Sequence, residues 1–483
     1  MRQYFAKNIL FLILVNLLIK PVWILGIDAK VQVLLGNEIY GSYMALLNIG
    51  LIFNILLDLG LQNYNNRVVA QAHNTFTRLF PNIMATKAVF SVVYFGVLML
   101  VGVLLHYSVQ ALQLLAWIAL IQVFNSFYLF IRSNIAARQL YKTDSLLSVL
   151  DRTLLIVVCG GLLYFPLTRT AFDIFLYAKV QALTLGITGL IGYIVLLQHF
   201  QVSWGHIRYN KIAGIIRQSI PYSILVFTMA VFMRADMVLL ELMAGSGAAG
   251  EFAEAFRLLD VANNMSGVLI GGMLLSFFSK HLQDSQTIRN ISSLCNRTLL
   301  PFSVIVTVIC IVYSRDILSL IYTGRAIPSG IHLSLLILAY PFYCLMYIYS
   351  TYLTALNRIR TLIGIAVTAI IISIAGNIIG IPLYGIAATA VIHPLTIAVF
   401  GITCLLYCNK FSGQQLLDGG TLLRLLLLGA AAGSIFYALS TTTLHFFIQV
   451  AAGLLLAACC YALLNSRDIR KLLNKLSEKY RTG

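Results

Sequence analysis

The chain carries very little charge for its length. Only 10% of its 483 residues are Asp, Glu, Lys or Arg, whereas soluble domains carry about 25%. Acidic residues are fewer than basic ones, with 16 Asp and Glu against 33 Lys and Arg. Hydrophobic residues make up 60% of the chain. No soluble core could bury so much apolar surface, so the composition excludes a soluble globular protein and favours a membrane protein.

Motifs of enzymes and metal proteins are also missing. The eight cysteines show no C-x-x-C spacing, which argues against a zinc site or a disulfide framework. Cys404 and Cys408 share a helix face without a nearby His or acid, so they fit small packing residues better than metal ligands. There is no P-loop, no G-x-S-x-G and no large outer loop for catalysis. We therefore expect no cofactor, no metal and no enzymatic activity.

Long apolar runs of about 20 residues predict membrane-spanning helices. We predict fourteen of them and hence an all-α polytopic fold, with spans at residues 7–27, 41–63, 82–106, 111–136, 145–166, 171–199, 216–243, 248–278, 295–314, 330–357, 361–380, 384–408, 421–440 and 443–465.

The positive charges fall mainly on one side of this map. The two termini and the even-to-odd loops hold about 24 of the 33 Lys and Arg, while the opposite loops hold about four. By the positive-inside rule both termini are cytoplasmic, and the net charge of +17 needs no nucleic-acid partner. The basic, amphipathic tail at 466–483 fits a last anchor at the membrane surface.

Two stretches repeat at a distance of about 209 residues, as in transporters built from duplicated bundles. Gly41-Ser42-Tyr43 opens span 2, and Gly250-Glu251-Phe252 opens span 8 in the same way. We predict an N-terminal lobe at 1–210, a C-terminal lobe at 211–410, and spans 13 and 14 with the tail at 411–483.

Four stretches together resemble the polysaccharide flippases of the multidrug/oligosaccharidyl-lipid/polysaccharide exporter superfamily. They include the Gly-x-Tyr opening of span 2, the matching place in span 8, and the hairpin YLTALNRIRTLIG followed by GNIIGIPLYG. The resemblance implies two six-helix lobes around a central cavity, plus two C-terminal helices.

It also implies that a monomer in the bacterial inner membrane moves an undecaprenyl-pyrophosphate-linked oligosaccharide to the periplasmic leaflet by alternating access. Coupling to an ion or to the membrane potential would drive it, and a polysaccharide polymerase and glycosyltransferases would be its partners. Two alternatives stay open: a flippase for the peptidoglycan lipid precursor and a cation-coupled multidrug exporter.

Ionisable residues within spans are functional candidates because each costs several kcal/mol in lipid. Four cations could line a cavity for pyrophosphate: Arg257, Arg234, Lys20 beside Pro21, and Lys179, about eight residues from the nearest loop. Their structural alternatives are a self-neutralising cluster for Arg257, a salt bridge to Asp236 for Arg234, and snorkelling for Lys20.

Four acids could pair with these cations or couple transport to an ion: Asp58, Asp236, Glu254 and Asp260. Glu254 and Asp260 flank Arg257 at i−3 and i+3 and would compete with phosphate for its guanidinium. Asp58 could pair with Lys20 or stay solvated near the cytoplasmic end. Lys87 is a weaker candidate.

Overall fold

Helices are the only regular structure in the described part of the chain. The computed structural model describes residues 19, 21–62, 65, 76–137, 140–165, 170–199, 209–323 and 330–464. The helices are α1 Ala29–Leu35, α2 Asn37–Phe53, α3 Phe76–Leu104, α4 Val109–Ala137, α5 Tyr141–Tyr164, α6 Ile174–His199, α7 Tyr209–Ala244, α8 Ser246–Lys280, α9 Ser285–Val312, α10 Ser314–Ile321, α11 Gly330–Leu336, α12 Ala339–Ala355, α13 Ile359–Tyr384, α14 Ile386–Ser412, α15 Gly419–Ser440 and α16 Phe446–Leu464.

Twelve of the fourteen predicted spans coincide with stretches that are long and apolar enough to cross a membrane. The eighth predicted span lies in α8, a helix of 35 residues with four charges between Glu251 and Asp260. Most of the first predicted span lies outside the described residues. Large apolar side chains on the surface, such as Val92 and Leu455 at 74% and 71% exposed, suit contact with lipid. The protein is therefore an all-α polytopic membrane protein.

The predicted outer loop at 28–40 is wrong. A π-helical segment, Val22–Asp28, runs directly into α1, and the chain breaks only at Gly36 before α2 begins at Asn37. Gly36 has a φ of 93°, a conformation that favours glycine. The polar residues that suggested a loop, Asp28 and Gln32, are buried against other parts of the protein.

Two further predicted spans are interrupted. The second predicted span continues past α2 as a short 3₁₀ helix, Asn54–Leu57, and ends in a turn at Asp58 where Leu59 and Gly60 take positive φ. The tenth predicted span is divided into α11 and α12, with a turn at 337–338. Apolar composition continues through both interruptions, so hydropathy alone does not reveal them.

The chain separates into two compact units. Unit 1 comprises Met1–Glu254 and Ile359–Thr389, and unit 2 comprises Ala255–Arg358 and Ala390–Gly483. A core of buried side chains joins α3, α4, α5 and α6 in unit 1, with Phe80 stacked on Phe130 at 5.4 Å. In unit 2, Tyr313 and Phe436 form an edge-on aromatic pair at the centre of another core cluster. The predicted lobe boundaries remain predictions.

The two repeated glycines meet inside unit 1. A Cβ on Gly41 would lie 1.8 Å from the Ser246 carbonyl oxygen, and one on Gly250 would lie 2.0 Å from the Asn37 oxygen. Gln32 also donates a hydrogen bond to the Gly250 carbonyl at 2.7 Å. The starts of α2 and α8 therefore touch backbone to backbone, which only glycine permits at these positions.

Candidate functional site

A buried polar network surrounds Asp236 of α7. Its Oδ1 accepts hydrogen bonds from the Ser373 hydroxyl at 2.5 Å and from the Asn377 amide at 2.9 Å. The Thr389 hydroxyl in turn donates to the Asn377 oxygen at 2.8 Å. All four side chains are at most 3% exposed. Asp236 lies about 12 Å along α7 from the helix end at Ala244, well inside the apolar span.

The local sequence explains this arrangement. Ser373 and Asn377 are four residues apart in α13 and so project from one face of a helix that is otherwise almost entirely apolar. The hydroxyl of Ser373 and the amide of Asn377 both donate to the carboxylate, and these hydrogen bonds offset the cost of burying a polar group in a low-dielectric slab.

A second buried acid, Asp28, was placed in a loop by the sequence analysis and was not a candidate. Its two oxygens accept hydrogen bonds from the hydroxyls of Tyr40 and Tyr177, each at 2.7 Å. Tyr43 packs between these two rings, 5.8 and 5.7 Å from their centroids, and accepts a hydrogen bond from Gln181. The available signal was Asp28 itself, an acid directly after an apolar run that contains Pro21.

The π-helical segment that carries Asp28 also carries Trp23. The guanidinium of Arg152 in α5 lies 4.0 Å from the centre of the Trp23 ring, and its Nε is 3.2 Å from Asp151. Arg152 lies within a predicted span but is not among the predicted site residues. π-helical turns are rare and often mark functional positions.

Asp58 forms an ion pair with Lys87, whereas the sequence suggested Lys20 as its partner. Lys87 Nζ lies 2.9 Å from Asp58 Oδ1 and donates to the Leu57 carbonyl at 3.1 Å. The Lys87 side chain is 1% exposed and that of Asp58 is 26% exposed. Lys20 lies outside the described residues.

Two predicted cations of unit 1 have different surroundings. Arg234 is partly buried and donates to the Asn48 oxygen of α2 at 3.4 Å. Lys179 is exposed, and its ammonium lies 5.8 Å from the centre of the Trp117 ring. Since α6 begins at Ile174, Lys179 is in the second turn of its helix and not at the centre of a span as predicted.

Arg257 is more deeply buried than Arg234 and Lys179, the other two predicted cavity cations that the structure describes. It is 6% exposed and donates to the Tyr322 hydroxyl at 2.6 Å, with its guanidinium 5.7 Å from the ring centre. It lies about 16 Å along α8 from Ser246. Glu254 is 4% exposed, whereas Asp260 is half-buried.

Unit 2 contains a buried histidine that the sequence analysis did not select. His393 is 1% exposed, forms a hydrogen bond with Tyr343 at 2.9 Å, and meets the edge of Phe256, one residue before Arg257. Pro394 follows it directly within α14. Among the described residues, no group of three or more His, Cys, Asp or Glu side chains could hold a metal ion.

Comparison with known proteins assigns the chain to a family and its fold to a known type. Residues 5–282, more than half of the chain, match the family described as "Polysaccharide biosynthesis protein". The chain therefore belongs to the polysaccharide biosynthesis protein family. It matches none of the curated proteins with which it was compared.

Solved structures show the same fold at low identity. The lipid II flippase MurJ in an inward closed conformation has a TM-score of 0.73 at 13% identity, covering 93% of this chain and 97% of that one. An inward-facing multidrug resistance MATE transporter of the MOP superfamily has a TM-score of 0.63 at 14% identity, covering 83% and 94%. A Vibrio cholerae MATE transporter mutant has a TM-score of 0.54 at 13% identity, covering 85% and 96%.

Proposed function

We propose that this protein is a flippase that moves an undecaprenyl-pyrophosphate-linked oligosaccharide from the cytoplasmic to the periplasmic leaflet of the bacterial inner membrane. Both termini lie in the cytoplasm, and a monomer works by alternating access. A polysaccharide polymerase and glycosyltransferases are its partners.

The observation that carries the proposal is a lipid-flippase fold along nearly the whole length of a polysaccharide biosynthesis protein. The lipid II flippase covers 93% of the chain and the MATE transporter in inward-facing form covers 83%. The higher coverage and TM-score of the lipid II flippase support a lipid-linked substrate over a drug.

Arg257 is the cation best suited to the pyrophosphate. Its planar guanidinium can donate to two phosphate oxygens at once, and its depth in α8 offsets the cost of moving that charge through lipid. The hydrogen bond from Arg257 to Tyr322 fixes the direction of the side chain. Arg234 and Lys20 assist in the same role. Lys179 gives the weakest support, because its exposed position near the end of α6 suits an interfacial anchor.

Asp236 is the coupling group of this proposal. Binding of a proton or a cation there removes a buried charge and changes the hydrogen bonds to Ser373 and Asn377, which belong to another helix. A coupling step of this kind can bias two arrangements of α7 and α13. Glu254 and Asp260 are secondary candidates for the coupling group. Asp58 is a weaker one because it forms an ion pair with Lys87.

The experiment is deletion of the gene followed by complementation. We expect the deletion strain to lose a surface polysaccharide and to accumulate its lipid-linked repeat unit, and the wild-type gene to restore it. Arg257→Glu should fail to restore it at normal protein abundance. Arg360→Glu, which reverses an exposed charge on α13, should restore it fully. Normal polysaccharide in the deletion strain would contradict the proposal.

One observation favours a second candidate, a flippase for the peptidoglycan lipid precursor. The lipid II flippase has a TM-score of 0.73, against 0.63 for the inward-facing MATE transporter. If this candidate is right, expression of the chain rescues cells depleted of their own lipid II flippase. We expect no rescue, because the family is that of polysaccharide biosynthesis.

A further inference from the structure

Two arginines from different helices line one pocket of unit 2. Arg297 of α9 and Arg424 of α15 face a surface pocket that is also lined by Pro301, Thr421 and Tyr461. Among the residues that the structure describes, no acidic side chain lines it. This pocket is separate from the Asp236 network and from Arg257, and the proposed transport mechanism does not use it.

A proline interrupts the helical hydrogen bonds of α9 at this pocket. Pro301 lies inside α9 four residues after Arg297, so it cannot donate the helical hydrogen bond that the Arg297 carbonyl would normally accept. The hydroxyl of Tyr461 in α16 donates to that carbonyl instead. The hydrogen bond that α9 loses at Pro301 is thus replaced by one from α16. This bond connects the two helices beside the pocket.

Two of its polar residues lie near helix ends: Arg424 is five residues after the start of α15, and Tyr461 is three residues before the end of α16. Arg297 lies near the middle of α9, twelve residues after Ser285, where the mainly apolar part of that helix begins. The charge pattern places these helix ends on the cytoplasmic side. The pocket therefore opens at the depth of the lipid headgroups of the cytoplasmic leaflet.

Single arginines at span ends are usually explained by snorkelling, in which each side chain extends to water on its own. Snorkelling does not require two arginines to line the same pocket. Here two arginines converge on a shared pocket with the Thr421 hydroxyl, which donates to the exposed Asp418 at 3.3 Å. Two guanidinium groups in one pocket suit a phosphate group, whose oxygens accept several charge-assisted hydrogen bonds. The sequence directly after α16 adds six Lys and Arg against two acids, which favours anionic lipid near this surface.

We propose that this pocket binds the phosphate of an anionic phospholipid, such as phosphatidylglycerol, from the cytoplasmic leaflet. The bound headgroup bridges α9 and α15 and so fixes α15 and α16 to the rest of unit 2. The site stands independently of what the protein transports.

The test uses purified, delipidated full-length protein in detergent and native mass spectrometry with added phosphatidylglycerol or phosphatidylcholine. We expect selective retention of phosphatidylglycerol by the wild type. Arg297→Gln with Arg424→Gln should weaken binding about a hundredfold, since each lost charge-assisted contact weakens it about tenfold. The control, Arg289→Gln with Arg360→Gln, removes two exposed charges outside the pocket and should retain the wild-type amount.

A single substitution serves as a control in case the double variant does not fold. Arg424→Gln alone leaves Arg297 and Tyr461 in place and should give intermediate retention with a wild-type gel-filtration profile. Equal retention of phosphatidylglycerol by the wild type and the double variant would overturn the site. Equal retention of phosphatidylcholine by the wild type would do so as well.

Two further arms identify the source of the phosphate. A polyprenyl pyrophosphate that is retained through the same two arginines, while phosphatidylglycerol is not, would overturn the assignment to a phospholipid and give the pocket to the substrate. Stabilisation of the wild type by inorganic phosphate to the same degree as by phosphatidylglycerol would show a free-anion site and overturn the lipid proposal.

Discussion

At the scale of single residues, the buried charges of this chain differ in what surrounds them. Lys87 is neutralised by Asp58 and so needs no substrate to offset its burial. Asp236 accepts hydrogen bonds from a hydroxyl and an amide group, and Arg257 donates one to the Tyr322 hydroxyl. Lys87 is therefore best explained as part of a structural ion pair, whereas Asp236 and Arg257 are the buried charges on which the proposed function depends.

The role of Asp236 can be tested by removing only its charge. Asp236→Asn keeps the size and one oxygen acceptor, so the protein should fold and reach the membrane in normal amounts. We expect transport to fall at least tenfold and to lose its dependence on an ion gradient. Transport of the lipid-linked substrate by membrane vesicles, with and without an imposed gradient, measures both effects.

Asp316→Asn is the matched control, because Asp316 is an exposed acid at the start of α10. It should leave transport and gradient dependence unchanged. Gradient-dependent transport by Asp236→Asn at the wild-type rate would remove Asp236 from the coupling mechanism.

The Asp58–Lys87 pair should behave as a structural pair. Lys87→Met leaves the Asp58 carboxylate without its cation, and we expect a loss of about 2 kcal/mol in stability. This is less than the 3–5 kcal/mol of a fully buried pair because Asp58 is 26% exposed. Thermal unfolding in detergent measures the loss.

Removing both charges together, as in Asp58→Asn with Lys87→Met, should recover part of that stability. Lys142→Met, which alters an exposed lysine of α5, should have no effect on unfolding. If Lys87→Met abolished transport without any change in stability, Lys87 would belong with the substrate-binding cations instead.

The burial of a charged residue could be predicted from the sequence only where hydropathy identified the helix that carries it. Asp236, Glu254 and Arg257 are charges inside long apolar helices, and the structure buries all three. Asp28 was missed because polar neighbours such as Lys30 and Gln32 imitate a loop, and only the tertiary contacts with Tyr40 and Tyr177 reveal its burial. Lys87 could not be ranked either, since its partner lies 29 residues away in the chain.

At the scale of helices, the contact between α2 and α8 depends on two glycines. An alanine at position 41 would place its Cβ 1.8 Å from a backbone oxygen of α8, so the helices would have to separate. We expect Gly41→Ala and Gly250→Ala each to lower stability by about 1–3 kcal/mol, the usual cost of overpacking. Thermal unfolding of the purified variants tests this.

Gly247→Ala provides the control within the same helix, because a Cβ there would meet no atom within 4 Å. It should be neutral or slightly stabilising, since alanine favours helix more than glycine does. Equal stability of all three variants would show that the close approach of α2 and α8 contributes nothing.

Helix positions followed from hydropathy where one apolar run makes one helix. The predicted spans 361–380 and 421–440 lie within α13 and α15, which are Ile359–Tyr384 and Gly419–Ser440. The breaks at Gly36 and between α11 and α12 were not predicted, because hydropathy does not report backbone dihedrals. The glycine repeat was recognised from sequence, but the contact between its two copies needed the fold.

At the scale of the whole molecule, the chain is a multi-pass membrane protein of the polysaccharide biosynthesis protein family, and its fold is shared by a lipid flippase and by drug transporters. The polysaccharide biosynthesis family and the lipid II flippase fold both support a lipid-linked saccharide as substrate. The MATE transporters share the fold at lower coverage of this chain, so a drug as substrate remains the alternative to test. A direct transport assay separates these two substrates.

The most direct measurement is the movement of a labelled undecaprenyl-pyrophosphate-linked oligosaccharide across proteoliposomes that contain the purified protein, read by its accessibility to an external enzyme. We predict transfer well above protein-free liposomes, lost in Arg257→Glu and kept in Arg360→Glu. Transfer at the protein-free rate, with efflux of a cationic drug by the same proteoliposomes, would contradict the assignment as a polysaccharide flippase.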